Sequence, residues 1–248
     1  MKPVDAHCHL NFKQYDNDRE EVIQRSKEEL EFLVVAGVNE ENNEEVLELQ
    51  RKHSNFVVAN LGLHPTYTDS FSEVDDIKEQ IRDKNPAAIG EIGLDHHHIK
   101  DDEERRAQEK IFREFLSLAE ELDKPVVVHS REAEKKAVEI ISEYDIPEVM
   151  LHCFNGTPKL AQKAVEEHGM KIGVTTQVLY SSRVENIVEK LNVDDMLLET
   201  DSPYLYRGER NEPLNILKSA EKISEVKGVS KERVVQETTS NAKLIQKD

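Results

Sequence analysis

A single-domain TIM-type (β/α)8 barrel over residues 1–248 is the fold class this sequence predicts, and three observations carry the prediction. Eight short apolar runs recur along the chain. Charged amphipathic stretches, with apolar residues at spacings of three and four, separate them. The glycine-rich turn that an open, doubly wound dinucleotide sheet would carry after its first strand is missing. Eight repeats of strand then helix are what a closed parallel barrel requires.

The runs in chain order are VDAHCHL at 4–10, EFLVVAGV at 31–38, FVVANLGL at 56–63, AAIGEIGL at 87–94, PVVVHS at 125–130, EVMLHCF at 148–154, MKIGVTT at 170–176 and DMLLETD at 195–201. DNDREEVIQRSKEEL follows the first run and DDEERRAQEKIFREFLSLAEEL the fourth, and both read as amphipathic helices. Ser, Asp or Asn stands ahead of several such stretches as a helix N-cap, and a further helix is predicted to start near Pro158. No Gly/Ser linker, low-complexity tract or internal repeat divides the chain.

Tryptophan is absent and aromatics are scarce, so the core is predicted to be built from Val, Ile and Leu. No apolar run approaches the roughly 18–20 residues that span a bilayer, and no signal-peptide pattern opens the chain, so the expected location is cytoplasmic. Cys8 and Cys153 each follow a histidine in a strand-like run and are read as buried thiols rather than a disulfide. The net charge of -18 repels a polyanion at long range and argues against non-specific duplex binding. It leaves room for a local, metal-bearing cleft.

His7 and His9 sit two apart on the first strand and therefore project to one face. Glu91, His129, His152 and Asp201 lie in or at the ends of other apolar strands, where an unpaired charge would cost several kcal/mol. Any one of them alone reads equally well as a satisfied core polar group. Six of them near the C-terminal ends of five proposed strands point to one mouth, where barrels collect catalytic groups. Imidazole together with carboxylate suits Zn²⁺, Mn²⁺, Co²⁺ or Fe²⁺, whereas Mg²⁺ prefers more oxygen. The set exceeds the needs of one tetrahedral ion, and two divalent ions bridged by a carboxylate would use the surplus.

The blocks DAHCHL, GLHP, IGEIGLD, PVVVHSRE, HCFNG, ETDSPYL, RNEP and NAKLI, in this order from residue 4 to about 245, resemble the TatD-like metal-dependent hydrolases of the amidohydrolase superfamily. The resemblance implies a TIM-type barrel, a two-metal centre and hydrolysis of ester or phosphodiester bonds, with several relatives acting as deoxyribonucleases. It implies that His7, His9, Glu91 and Asp201 surround one ion and Glu91, His129 and His152 the other, with Glu91 as the bridge. Asp201 would then orient or deprotonate the attacking water. Two stretches depart from the pattern: GLDHHHIK carries three histidines where relatives show an aromatic or mixed stretch, and NAKLIQ replaces an aromatic ending.

Several residues are expected around this centre as substrate contacts. His64, before Pro65, should face the mouth, binding substrate or holding a ligand in place. Arg131 stands at a strand-to-helix junction where a guanidinium could hold a phosphate or carboxylate, or simply a helix-start ion pair. Tyr204, Tyr206, Arg207 and Arg210 follow the eighth strand, where barrels often hold phosphate and where aromatic and cationic side chains suit a nucleotide. Asn155 and Gly156 form a loop in which glycine would permit close approach to a ligand. Of His96, His97 and His98 at most one or two can reach the site, and Asp95 is expected to play a supporting structural part.

Three functions of different kinds fit these residues. The first is a two-metal deoxyribonuclease or phosphodiesterase acting on DNA ends, single strands or a small phosphodiester. The second is a carboxylic ester or amide hydrolase, such as an aminoacyl-tRNA deacylase, using the same centre. The third is a non-catalytic metal-binding scaffold, against which the complete ligand set speaks. No membrane and no obligate protein partner is inferred.

Overall fold

The computed structural model describes residues 1–245. Its strands are β1 (Asp5–Cys8), β2 (Leu33–Ala36), β3 (Val57–Leu61), β4 (Ala88–Gly93), β5 (Val126–His129), β6 (Val149–Leu151), β7 (Lys171–Val174) and β8 (Met196–Leu198). Between and after them run α1 (Arg19–Glu29), α2 (Glu40–Lys52), α3 (Val74–Lys84), α4 (Asp102–Leu122), α5 (Glu134–Ile141), α6 (Pro158–His168), α7 (Ser182–Lys190), α8 (Ile216–Lys227) and α9 (Lys231–Ile245). Each strand pairs in parallel with the next in the order β1 to β8. The single-domain (β/α)8 barrel expected from the alternating runs is the fold observed. Gln246, at which the NAKLIQ ending departs from the family pattern, lies outside the described residues.

The barrel closes between β8 and β1 by a seam of polar contacts at its C-terminal mouth. The Asp201 N–H donates to the His7 carbonyl at 3.0 Å, and the His9 N–H donates to the Ser202 carbonyl at 2.8 Å. The buried Asp5 carboxylate accepts from the Thr200 N–H at 2.9 Å and the Thr200 hydroxyl at 2.6 Å. Residues 200–202 therefore bind β1 and the residue after it, while the Glu199 N–H still donates to the Val174 carbonyl of β7 at 3.2 Å. β8 ends at Leu198 rather than at Asp201, as the apolar run alone had suggested, and β6 ends one residue before His152.

Caps follow the residue types expected. Asn39, Asp101, Thr157 and Ser181 each accept from a first-turn N–H, and Pro158 opens α6. Asp18 is an exception: its carboxylate takes both guanidinium nitrogens of Arg210, at 2.7 and 2.6 Å, and makes no side-chain cap, so α1 starts at Arg19.

Aliphatic side chains dominate the core, each stabilising by about 1.5–3 kcal/mol on burial. The larger layer lies between strands and helices and includes Leu33, Val35, Leu61, Ile92, Phe112 and Phe115. A smaller cluster brings together Ala6, Ala88, Val127, Met150 and Leu197 from five strands, with Ala242 and Ile245 of α9 packed against it. These residues touch across non-adjacent strands, so they fill the barrel interior and form a floor beneath the mouth.

At the upper edge of this floor, a Cβ on Gly173 would overlap Glu199 Oε1 and crowd Met150. A missing side chain on β7 thus makes room for a buried carboxylate from the end of β8. Gly173→Ala is expected to cost about 1–3 kcal/mol by overpacking. Urea denaturation checks this, and unchanged stability would show that Glu199 can move aside freely. Among the described residues no helix is long and apolar enough to cross a membrane.

Candidate metal centre

Five imidazoles and two carboxylates meet at the C-terminal mouth. Glu91, on β4 and 2% exposed, is their hub: Oε1 lies 2.9 Å from His129 Nδ1, 3.3 Å from His64 Nε2 and 3.7 Å from His152 Nε2. Its Oε2 lies 3.4 Å from His7 Nε2 and 3.5 Å from His9 Nε2. Asp201 Oδ1 is 3.5 Å from His9 Nε2, 3.9 Å from His7 Nε2 and 3.8 Å from His152 Nε2. β1 ends at Cys8, so His9 lies one residue beyond the strand that carries His7; the two rings nevertheless converge, with their Nε2 atoms 3.2 Å apart.

The hydrogen bonds at the back of each ring assign its tautomer. His9 Nδ1 donates to the Ala36 carbonyl at 3.1 Å, His129 Nε2 to Asp95 Oδ2 at 2.9 Å, and His152 Nδ1 to Glu199 Oε2 at 2.6 Å. In each ring the other nitrogen turns a lone pair towards Glu91 and Asp201. Lone pairs facing carboxylates repel unless positive charge stands between them. His64 differs: Thr66 N–H donates to its Nδ1 at 3.2 Å, so its Nε2–H is left to hold Glu91. His7 Nδ1 is buried without a partner, and its ring stacks on His152 at 3.8 Å between centroids. The groups His7, His9, Asp201 and His64, Glu91, His129 each gather atoms close enough to hold a metal ion.

The electrostatics agree. Burial opposes charge on both carboxylates, yet His64, His152 and His129 hold Glu91 well below the usual carboxylate range, and His9 and His152 hold Asp201 down. Burial likewise opposes charge on His152, but Glu199, Glu91 and Asp201 push it up to about 10 from 6.5. In metal-free protein, protons on His152 and His129, both held up by the surrounding carboxylates, supply positive charge among those carboxylates. Because its folded pKa is raised, His152 contributes stability that is complete below about 6.5 and disappears as pH rises through about 10. Metal-free protein is therefore expected to melt at steadily lower temperature between these limits, and metal-loaded protein much less so. A flat profile for the metal-free form would contradict this.

Backbone turns aim the side chains. Asp201 and Cys153 both lie just past strand ends with left-handed φ, at 54° and 46°. Asp tolerates that region better than most residues. Cys153 corrects the reading of two buried thiols: Cys8 is buried, but Cys153 is only half-buried and lines the basin.

The basin above the cluster has a volume of about 600 Å³. His9, His64, Glu91, His129, His152 and Asp201 line it, as do Arg131, Asn155 and Tyr204. Arg131 is exposed at the rim, and Asn155 donates to Gln177 Oε1 at 3.0 Å. Other predicted contacts are elsewhere. Arg207 is not among the lining residues; it donates to the Leu179 carbonyl at 2.8 Å and lies over Tyr180. Arg210 is taken by Asp18 and Glu212, and the Tyr206 hydroxyl accepts from Lys218. The loop after β8 thus delivers one side chain of the expected four. Gly156 also serves packing: a Cβ there would meet the Phe154 ring at 2.6 Å.

Of the three histidines after β4, His97 pairs with Glu132 and only His98 reaches the basin wall, its Nδ1 3.0 Å from Asp95 Oδ2. Asp95 itself is fully buried behind His129. Sequence reasoning passed over Glu199 and Asp5. Glu199 is fully buried, fixes His152 and accepts from the Cys153 N–H at 2.7 Å. The signal was present, since an acid within MLLETD faces the same burial cost that singled out Asp201.

Comparison with known proteins agrees with this geometry. The family described as TatD related DNase matches residues 4–247. An uncharacterized metal-dependent hydrolase of Methanocaldococcus jannaschii is 38% identical, the match covering 94% of this chain and 92% of the relative. Human deoxyribonuclease TATDN3 is 33% identical over 96% of this chain and 92% of its own. The crystal structure of YjjV, a TatD homologue of Escherichia coli, superposes with a TM-score of 0.87 at 28% identity, covering 98% of this chain and 97% of that one. The chain belongs to the TatD-related DNase family and is a metal-dependent hydrolase.

Proposed function

We propose that the protein is a two-metal phosphodiesterase that cleaves DNA at ends or in single strands. The observation that carries this reading is the convergence of imidazole lone pairs on two buried carboxylates, an arrangement that calls for cations. A pair of divalent ions fits the donor set: His7, His9 and Asp201 would hold one, His129 and His152 the other, and Glu91 would bridge them. Zn²⁺, Mn²⁺, Co²⁺ and Fe²⁺ suit these nitrogen and oxygen donors better than Mg²⁺ does.

When bound, such ions supply Lewis acidity that lowers the pKa of water and neutralises charge on phosphoryl oxygens. The chain's own groups do the rest. Asp201, at the edge of the basin with its side chain 14% exposed, takes the proton of the attacking water. Asp95 and Glu199 keep His129 and His152 in the required tautomers. His64 holds Glu91 in place, and Arg131 and Asn155 face the substrate from the rim.

DNA as substrate is supported by the names of the deoxyribonuclease relatives and by Arg131 on the basin. Arg207 and Arg210, engaged elsewhere, lend it nothing. Hydrolysis of carboxylic esters or amides, including aminoacyl-tRNA, uses the same centre and is the outcome to set against it. Metal-loaded protein is expected to cleave 5′- or 3′-labelled single-stranded DNA with kcat/KM at least tenfold above any carboxylic ester in a panel. The reverse ranking would overturn the phosphodiesterase reading.

A further inference from the structure

Each imidazole assigned to the metal centre has its far nitrogen engaged, with one exception. His9 Nδ1 is bonded to the Ala36 carbonyl, His129 Nε2 to Asp95 and His152 Nδ1 to Glu199. His7, whose Nε2 lies 3.4 Å from Glu91 Oε2, is fully buried with its Nδ1 unpartnered. An imidazole binds a metal through a nitrogen that carries no proton, so its one remaining N–H is on the other nitrogen. A buried N–H without an acceptor is costly, and the N–H behind a metal-bound ring almost always has one.

Asn60 offers the counterpart. Its side chain is fully buried, and neither Oδ1 nor Nδ2 has a partner. Ala59 and Leu61, on either side of it along β3, pack in the layer between strands and helices, so Asn60 faces the barrel interior. In register it stands between Ala36 of β2 and Ala88 of β4. Ala6, which precedes His7 on β1, packs in one cluster with Ala88. Alanines on β1, β2 and β4 thus leave room near an amide on β3. Val34 and Ala36 of β2, both fully buried, join neither packed cluster among the described residues. This side of the interior is therefore loosely filled and carries a polar group. Protein interiors are otherwise close-packed, and a space that is both roomy and polar takes up water.

The other buried side-chain atoms without partners lie elsewhere. Asn11 Oδ1 and Ser202 Oγ belong to loops after β1 and β8, His53 Nε2 follows α2, and Ser219 Oγ is on α8. Among the described residues, the unmatched side-chain polar groups of the barrel interior are His7 Nδ1 and the Asn60 amide.

We propose that Asn60 is a positioning residue for the metal centre: it holds an internal water that accepts from His7 Nδ1–H and donates to Asn60 Oδ1. The bridge fixes the tautomer of His7 and the angle at which Nε2 meets the ion that it shares with His9 and Asp201. This rests on the metal centre of the reading above and not on its substrate, and it adds a residue outside the ligand set.

The test compares Asn60→Val with Asn60→Thr, side chains of one shape that differ by a hydroxyl able to hold water. Zn²⁺ affinity is read by competition with a chromophoric chelator. In Asn60→Val one of the two ions should bind at least about tenfold more weakly than in wild type, the usual loss when the support behind a ligand is removed. The other ion should stay within about threefold, and Asn60→Thr should stay within about threefold at both. Metal-free samples of the two variants should melt within about 3 °C of each other. General loosening of the barrel would instead weaken both ions together. A high-resolution crystal structure of the wild-type protein gives a reading that needs neither variant to fold: one water should lie within hydrogen-bond distance of both His7 Nδ1 and Asn60 Oδ1.

Equal affinities in the two variants, or equal weakening of both ions in Asn60→Val, would overturn the proposal and leave the metal centre standing. Density with no water joining His7 to Asn60 would overturn it too. Wild-type protein that takes up no Zn²⁺ would sink the proposal and the metal centre together.

Discussion

Asp201→Asn is expected to lower kcat for phosphodiester hydrolysis by about 10²- to 10⁴-fold, the usual loss when a positioned proton acceptor is removed. The substitution is well suited to isolate that role. Asn has nearly the same volume and shares the tolerance of Asp for left-handed backbone, which the φ of 54° at this position demands. The bond that fixes the turn runs from the Asp201 N–H to the His7 carbonyl and does not involve the side chain. Fold and much of the metal content should therefore survive, as circular dichroism and metal analysis would record. Turnover within about twofold of wild type would remove Asp201 from its assigned role.

Glu91→Gln is expected to act on binding and stability together. The carboxylate lies within 2.9–3.7 Å of ring nitrogens from His7, His9, His64, His129 and His152. An amide keeps the volume but removes the anion and sets an NH₂ group against some of these atoms. At least one metal ion per chain should be lost. Metal-free protein should lose on the order of 3–5 kcal/mol, because raised-pKa imidazoles at 129 and 152 keep their positive charge without its buried partner. Metal content by elemental analysis and stability by urea denaturation read the two effects separately. Wild-type values in both would defeat the bridging assignment.

The parts of this centre legible in the sequence were those governed by burial cost. His7, Glu91, His129 and His152 announced themselves as ionisable groups in apolar strands, and the barrel followed from the alternation of those strands with amphipathic helices. Glu199 and Asp5 obey the same rule and were readable in principle. The rim was not. Whether Arg210 faces substrate or solvent depends on Asp18, 192 residues away, and Arg207 is drawn off by the Leu179 carbonyl. Long side chains on loops take their direction from tertiary partners that no local pattern reveals. Strand ends were similarly hidden: the Thr200–Asp5 contacts that draw the segment after Glu199 onto β1 join positions 195 residues apart.

The most direct test of cations held between the imidazoles and the carboxylates is an anomalous difference map from crystals of the wild-type protein grown with Mn²⁺ or Zn²⁺. Two peaks should appear, one within coordination distance of His7, His9 and Asp201, the other of His129 and His152, with Glu91 reaching both. Crystals with no peak in this basin, or with the metal bound only at surface carboxylates, would contradict the metal centre on which the hydrolytic reading rests.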